Sequence, residues 1–245
     1  MKTLKRILPI LFLVLVVLLL VACKKNKVKN TDDLNNVFTN TVQTYKSAEN
    51  VQAKITLKSE TEEVIDLKYS ISGGKITSLA TVLTDSEGEV SVYVKDGVCY
   101  VARYSSPKEK YTATDAELTK IASTYTIDAY IKKATSIFNK EFFKASSIES
   151  SDGGVYKLSC DLAALEVASD TPDDEIIEAE AQIEALKALE SISLTLTLKD
   201  DLVAKFEGTF VKEGKTSTIT IEFISTSTFE VNVPNASDYQ TKSNQ

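Results

Sequence analysis

Alternation of apolar and polar residues from position 51 onward is the feature that most constrains the fold of this chain. Val51, Ala53, Ile55 and Leu57 alternate with polar residues, and the same period of two recurs in later segments up to residue 233. A period of two places every second side chain on one face of a β-strand. Segments with one apolar and one polar face are typical of an antiparallel sheet that is covered on one side.

One hairpin within this pattern can be predicted together with its register. The dipeptide Asp96-Gly97 lies between two alternating apolar segments, a position in which Asp-Gly favours a two-residue turn. Such a turn pairs Val94 with Cys99 and Val92 with Val101. Because the side-chain period is two, all four of these side chains are then expected on the apolar face of the sheet.

The same register places Tyr93 and Tyr100 next to each other on the opposite, more polar face. Two interpretations of this pair stay open at this point. It is an ordinary cross-strand pair that stabilises the sheet, or it is an exposed aromatic patch that contacts a partner.

Three segments have apolar residues at the spacing of three and four that is typical of helices. They cover residues 31–47, 115–140 and 172–189, and a break is predicted within the second segment near residues 124–126. A sheet of about eleven strands is expected to curl, because large twisted sheets rarely stay flat. We therefore predict an α+β fold, in which a large curved antiparallel sheet (a half-barrel) holds three helical segments on its concave apolar face.

Turn residues set the remaining boundaries. Residues 105–114 are predicted to form a loop, and residues 142–150 and 154–162 are predicted to pair as a hairpin. Residues 229–233 are predicted to be the last strand. The polar residues 235–245 are predicted to be a frayed tail.

The first residues of the chain have the pattern of a secretory signal. A basic head is followed by an apolar run over residues 7–22, which ends in Leu20-Val21-Ala22-Cys23. The run has 16 residues, fewer than the roughly 20 that a membrane-spanning helix needs. The last four residues resemble the lipobox of bacterial lipoproteins at every position.

That resemblance implies processing and lipidation at Cys23. Signal peptidase II would cut between Ala22 and Cys23 and remove the signal peptide of residues 1–22. Cys23 would carry a thioether-linked diacylglycerol, and palmitate is a chain typical of such anchors. Residues 24–30 would then be a polar tether. The expected location is the extracytoplasmic face of the cell membrane, where the lipid anchor holds the protein, because two acyl chains bind a bilayer stably.

Composition narrows the classes of function. Without residues 1–22 the chain has 25 basic and 35 acidic residues, a net charge of −10, so nucleic acid is not an expected partner. The chain has no histidine, which removes histidine-based catalysis and histidine-ligated zinc. Acidic residues at 170 and 173–175 are explained by the dipole of the helix that follows, and they lack the spacing of a calcium loop. We expect no enzymatic activity, no cofactor and no metal.

Two cysteines remain after Cys23. Cys99 and Cys160 are both predicted on the apolar face of the sheet. They can form a disulfide only if their strands bring the Cα atoms within about 7 Å. Otherwise both are free thiols that pack as small apolar side chains.

Over residues 31–234 the chain resembles the half-barrel lipoproteins, the LolA/LolB-like and LppX-like carriers of lipid and lipoprotein. The resemblance is carried by the element order, the lipobox and the final segment Val231-Asn232-Val233-Pro234. It implies one domain with a cavity between sheet and helices that binds an acyl chain or another apolar ligand. The candidate residues for this cavity, each of which could equally be ordinary core, are Ile55, Leu67, Val92, Val101, Leu194, Phe206 and Ile221.

An alternative function stays open for the same fold. If the core is solid, the protein is a non-catalytic surface lipoprotein whose exposed sheet face contacts an envelope protein or an envelope polymer.

Overall fold

The computed structural model describes residues 28–168, 171–172 and 174–242. Within this part of the chain, twelve strands form one sheet, and five helices accompany it. The helices are α1 (Thr31–Ser47), α2 (Asp115–Tyr125), α3 (Ile127–Ile137), α4 (Lys140–Lys144) and α5 (Ile176–Lys187). The strands are β1 (Asn50–Lys58), β2 (Glu62–Ser72), β3 (Lys75–Asp85), β4 (Gly88–Lys95), β5 (Val98–Arg103), β6 (Glu109–Thr112), β7 (Ser146–Asp152), β8 (Val155–Cys160), β9 (Ser191–Lys199), β10 (Leu202–Lys212), β11 (Lys215–Ser225) and β12 (Gln240–Thr241).

The sheet is open, and its strand order is β12-β6-β5-β4-β3-β2-β1-β11-β10-β9-β8-β7. All neighbours are antiparallel except β12 and β6, which pair in parallel. Pairing of β1 with β11 joins the two halves of the chain, because it brings Ile55 opposite Ile221. The predicted α+β half-barrel is confirmed, with twelve strands rather than about eleven.

The predicted hairpin and its register are confirmed. Val94 pairs with Cys99, and Val92 pairs with Val101. The turn between these strands has φ values of +52° at Asp96 and +75° at Gly97. Positive φ at both central residues is the geometry that follows the right-handed twist of the two strands, and Asp-Gly adopts it readily.

The core is an aromatic cluster between the helices and the sheet. Phe38 of α1 stacks on Phe206 of β10, with ring centroids 5.3 Å apart. The ring of Phe138 meets Phe206 edge-on at 5.0 Å and Phe142 at 4.8 Å. Phe38, Phe138, Phe142 and Phe206 are at most 3% exposed. These rings fill the middle of the concave face.

The predicted break in the second helical segment is confirmed, because α2 ends at Tyr125 and α3 begins at Ile127. The strand predicted over residues 142–150 is partly wrong, since its first residues belong to α4. The Asn139 side chain accepts hydrogen bonds from the backbone N–H groups of Glu141 and Phe142, which caps the helix. A helix also buries the adjacent Phe142 and Phe143 completely, whereas a strand would place them on opposite faces.

Two further expectations about strands are wrong. Residues 105–114 contain β6 and are not a loop throughout, and residues 229–233 form no strand. The latter segment still buries Val231, which is 6% exposed. The apolar residues at 229–233 therefore mark packing against the domain and not a place in the sheet.

Up to residue 242, the C-terminal residues pack on the domain, so the predicted frayed tail is wrong for this part of the chain. Tyr239 is only 4% exposed, and its ring meets Tyr100 edge-on at 5.3 Å. Next to it, Gln240 and Thr241 form β12, which pairs with the outer edge of β6. Together the tyrosine contact and the strand pairing hold this segment against the polar face of the sheet.

Candidate functional site: an apolar groove between sheet and helices

A groove of about 670 Å³ lies between one end of the sheet and helices α3 and α5. We call it the main groove. Twelve of the nineteen residues that line it are apolar or aromatic. They are Ile55, Leu57, Ala129, Tyr130, Ala134, Ile137, Phe138, Ala185, Leu186, Leu189, Phe210 and Ile219. Pockets for small ligands commonly have volumes of about 300–1,000 Å³, so the main groove has the size of a binding site.

Helix α5 contributes one wall of the main groove through Gln182, Ala185 and Leu186. Of its twelve residues only Leu186 is buried. The Gln182 side chain donates a hydrogen bond of 3.3 Å to the Ser136 hydroxyl, near the end of α3. This contact joins the two helices beside the groove.

The floor of the groove depends on a glycine in β10. Gly208 lies beneath Phe138, and a Cβ atom at position 208 would be 2.5 Å from the Cζ atom of that ring. Glycine in a strand interior often marks such a close approach. The absence of a side chain at 208 therefore lets the tip of the Phe138 ring approach the strand backbone, where the ring forms part of the lining.

Tyr130, a lining residue of the groove, is partly buried. Burial raises the pKa of the Tyr130 hydroxyl, and the neighbouring Tyr125 adds to this increase. Burial has this effect because it disfavours the charged form of the phenol. A raised pKa agrees with the apolar character of the residues around it.

The seven polar lining residues come from few places in the chain. Lys58, Ser59 and Thr61 lie in or next to the turn between β1 and β2, and Glu63 follows at the start of β2. Ser217 and Thr218 lie near the start of β11. Pairing of β1 with β11, which sets Lys58 opposite Thr218, brings these two places together. The set is Lys58, Ser59, Thr61, Glu63, Gln182, Ser217 and Thr218.

A second cavity of about 390 Å³ adjoins this polar end, and we call it the side pocket. It shares Leu189, Phe210 and Ser217 with the main groove. Its other lining residues, Lys212, Glu213 and Lys215, lie in or next to the turn between β10 and β11. An apolar space therefore continues into a more polar one at the same end of the sheet.

Among the seven residues predicted to line a cavity, the structure places Ile55 in the main groove. The remaining six lie elsewhere in the core, where five are at most 5% exposed and Val101 is half-buried. These six are Leu67, Val92, Val101, Leu194, Phe206 and Ile221. The aromatic cluster fills the middle of the concave face, and the main groove lies at one end of it.

Sequence reasoning missed the residues at the ends of the same strands. Leu57, Phe210 and Ile219 share the apolar face with the predicted positions, so the period of two identifies their face. No sequence signal indicates that α3 and α5 stand away from this end of the sheet. The contribution of Ala129, Ala134 and Ala185 is equally hidden, because small helical residues carry no mark of a cavity.

The two cysteines do not form a disulfide. Both thiols are free, with Cys99 buried and Cys160 half-buried. Seven strands separate β5, which carries Cys99, from β8, which carries Cys160. The disulfide that the sequence left open is therefore excluded, because the two strands are not neighbours.

Tyr93 and Tyr100 are cross-strand neighbours, as predicted. Tyr93 is only 6% exposed, and burial raises the pKa of its hydroxyl. Tyr239 covers this side of the sheet through its contact with Tyr100. The pair is therefore part of a packed cluster and not an open aromatic patch.

The predicted lipidation site lies outside the described residues, as do the signal peptide of residues 1–22 and the acidic residues 170 and 173. In the part of the chain that is described, no three Asp, Glu, Cys or His side chains are grouped to hold a metal. None of the described helices has the length and apolar character needed to cross a membrane.

Comparison with known proteins does not assign the chain to a family. No family model matches it, and no curated protein is similar enough to be matched.

Proposed function

We propose that this protein is a lipoprotein, anchored at the extracytoplasmic face of the cell membrane, that binds the apolar part of a lipid in the main groove. The observation that carries this proposal is the lining of the groove, where twelve of nineteen residues are apolar. A concave, mostly apolar pocket of this volume with a few polar groups at one end is the usual form of a small-ligand site.

Lipid is the ligand that best matches the shape and the expected location. The groove lies between helices and a curved sheet, and its apolar lining leads to polar residues at one end. Each methylene group transferred from water into such a lining contributes about 0.8 kcal/mol. A protein held at a membrane by Cys23 would also meet acyl chains at high local concentration.

The chain offers no catalytic constellation for this site. It contains no histidine, and the ionisable lining residues of the main groove, apart from Tyr130, are Lys58 and Glu63. We therefore propose binding without turnover. The alternative of a partner-binding module at Tyr93 and Tyr100 loses its main support, because Tyr239 covers that pair.

The proposal is tested by filling the groove with a bulky side chain. Ala185 lines the groove and is exposed on α5, so Ala185→Trp adds an indole at the wall without disturbing the core. Ala181→Trp is the matched control, since Ala181 is exposed on the same helix but does not line the groove. Both variants are made as the chain from residue 24 onward, which contains every described helix and strand.

Native mass spectrometry after incubation with monolauroylglycerol gives the readout. We expect one bound ligand on the unmodified protein and on Ala181→Trp. On Ala185→Trp we expect most or all of the ligand-bound signal to disappear. Equal binding by both variants would place the ligand elsewhere. No binding by any of the three proteins would refute the proposal.

The anchor is tested separately in the full-length chain. Cys23→Ser removes the sulfur through which the lipid is joined, so we expect the protein to leave the membrane fraction and to lose the mass of the diacylglycerol. Retention of Cys23→Ser in the membrane fraction after a salt wash would contradict anchoring at this residue.

A further inference from the structure

The polar end of the main groove has a composition that selects among lipid headgroups. It combines the turn between β1 and β2 with the turn between β10 and β11, and the side pocket adjoins it. A ligand whose acyl chain occupies the apolar lining would place its headgroup here. The side chains at this end therefore determine which headgroups are compatible.

Charges at this end nearly cancel. Three lysines, at 58, 212 and 215, and two glutamates, at 63 and 213, line the two cavities, and Glu60 and Glu62 lie beside them as ion-pair partners. Two of the lysines already have carboxylate partners, because Lys58 pairs with Glu62 at 3.8 Å and Lys215 pairs with Glu60. Because the charges at this end nearly cancel, neither an anionic nor a cationic headgroup meets a strong net attraction here.

Hydroxyl groups are the other feature of this end. Ser59, Thr61, Ser217 and Thr218 supply four of the seven polar lining residues. Within the described part of the chain, none of these four hydroxyls has a side-chain hydrogen bond to the protein. A hydroxyl group both donates and accepts hydrogen bonds, so these side chains can pair with the hydroxyls of a ligand.

The volume of the main groove matches a ligand with one chain. One water molecule occupies about 30 Å³ in the liquid, and a methylene group has a similar size, so the groove holds roughly 22 such groups. A single long acyl chain with a small headgroup has about this many heavy atoms. A lipid with two long chains has too many for the main groove.

We infer that the ligand is a single-chain amphiphile with an uncharged, hydroxyl-bearing headgroup. This inference rests on the proposed function, because it assigns the ligand class of the same groove. Glycerol and sugar headgroups share the required chemistry. The hydroxyls of either headgroup would pair with Thr61 and Ser217 at the polar end, while the chain lies against Leu57, Phe138 and Leu186.

The test compares headgroups on a constant dodecyl or lauroyl chain, each below its critical micelle concentration. The probes are monolauroylglycerol, dodecyl glucoside, laurate, dodecyl phosphate and dodecyltrimethylammonium. Affinities for the chain from residue 24 onward are measured by isothermal titration calorimetry. We expect one or both uncharged probes to bind roughly tenfold more tightly than any charged probe.

Hydroxyl contacts are tested with variants that preserve side-chain volume. Thr61→Val and Ser217→Ala are each expected to weaken binding of the preferred uncharged probe about fivefold and to leave laurate binding unchanged. Thr216→Val is the control, because Thr216 is exposed on β11 and lines neither cavity.

Each outcome has a distinct meaning. Tighter binding of monolauroylglycerol than of dodecyl glucoside indicates a glycerolipid, and the reverse order indicates a glycolipid. Equal affinity for all five probes, or preference for a charged one, overturns the headgroup inference and leaves the proposed function standing. Binding of none of the five probes overturns the proposed function and the headgroup inference with it.

Discussion

Replacement of Gly208 by alanine tests the packing on which the floor of the main groove depends. The added Cβ atom would be 2.5 Å from Cζ and 2.7 Å from Cε2 of Phe138. Carbon atoms in contact are normally about 3.5–4.0 Å apart, so the ring must move by roughly 1 Å. Its neighbours restrict that movement, because Phe142 and Phe206 both contact the same ring.

The expected loss of stability is a difference between two effects. Overpacking of a filled core costs about 1–3 kcal/mol, whereas replacing a glycine in a strand interior by alanine returns about 0.5–1 kcal/mol of conformational entropy. The overpacking effect is the larger one, since β10 lies within the sheet and the Phe138 ring is only 1% exposed and packs against Phe142 and Phe206. Taking the middle of each range, we therefore expect Gly208→Ala to lower the free energy of unfolding by about 1 kcal/mol.

The measurement is urea unfolding followed by far-ultraviolet circular dichroism, because the chain contains no tryptophan. Phe138→Leu removes the two ring atoms that the Cβ would meet and serves in a double-mutant cycle. If the clash is real, Gly208→Ala costs about 1 kcal/mol less in the Phe138→Leu background than in the unmodified protein. Strictly additive effects, or a Gly208→Ala variant as stable as the unmodified protein, would refute the reasoning.

Three further predictions concern other parts of the molecule. Tyr239→Ala should lower the free energy of unfolding by roughly 1.5–3 kcal/mol, because this large side chain is buried against the sheet. Ser237→Ala, at an exposed position nearby, should change it by less than about 0.5 kcal/mol in the same urea titration. Alkylation of the denatured chain from residue 24 onward should add two labels with or without reductant, since Cys99 and Cys160 are free; a second label that requires reductant would indicate a disulfide. Burial raises the pKa of Tyr69 from 10.0 to about 12. The N–H of Ile127, which donates a hydrogen bond to the Tyr69 hydroxyl, lowers the pKa, and the charge of Asp128 raises it. The unfolded chain thus releases this proton at lower pH than the folded protein does, so the stabilisation is present below pH 10 and is lost as the pH rises to about 12. Tyr69→Phe should make that decline in unfolding free energy shallower, and equal slopes for both proteins would contradict the assignment.

Local patterns account for what could be predicted about the fold. The Asp96-Gly97 turn sets the register of its hairpin through the conformation of two residues, and the structure confirms the pairs that follow from it. The errors have equally local causes. The segment that begins at Phe142 has strand-forming residues, but the cap at Asn139 and the enclosed pair Phe142–Phe143 make its start a helix.

The candidate site was predicted less completely than the fold. Ile55 was identified because it lies on the apolar face, and that face also contains Phe206 and Ile221, which are enclosed core. Periodicity distinguishes one face of a strand from the other. It does not distinguish a residue beneath a packed helix from one beneath an open groove.

The sequence by itself determined the α+β composition, the apolar face of the strands that it predicted and the lipobox pattern at Cys23, because each of these depends on residues close together in the chain. Only the tertiary structure decided where the sheet is left uncovered. That decision needs the pairing of β1 with β11, the seating of Phe138 on Gly208 and the position of α5. All three are contacts between distant parts of the chain, and their outcome depends on how side-chain volumes fill a shared space, which no local pattern records.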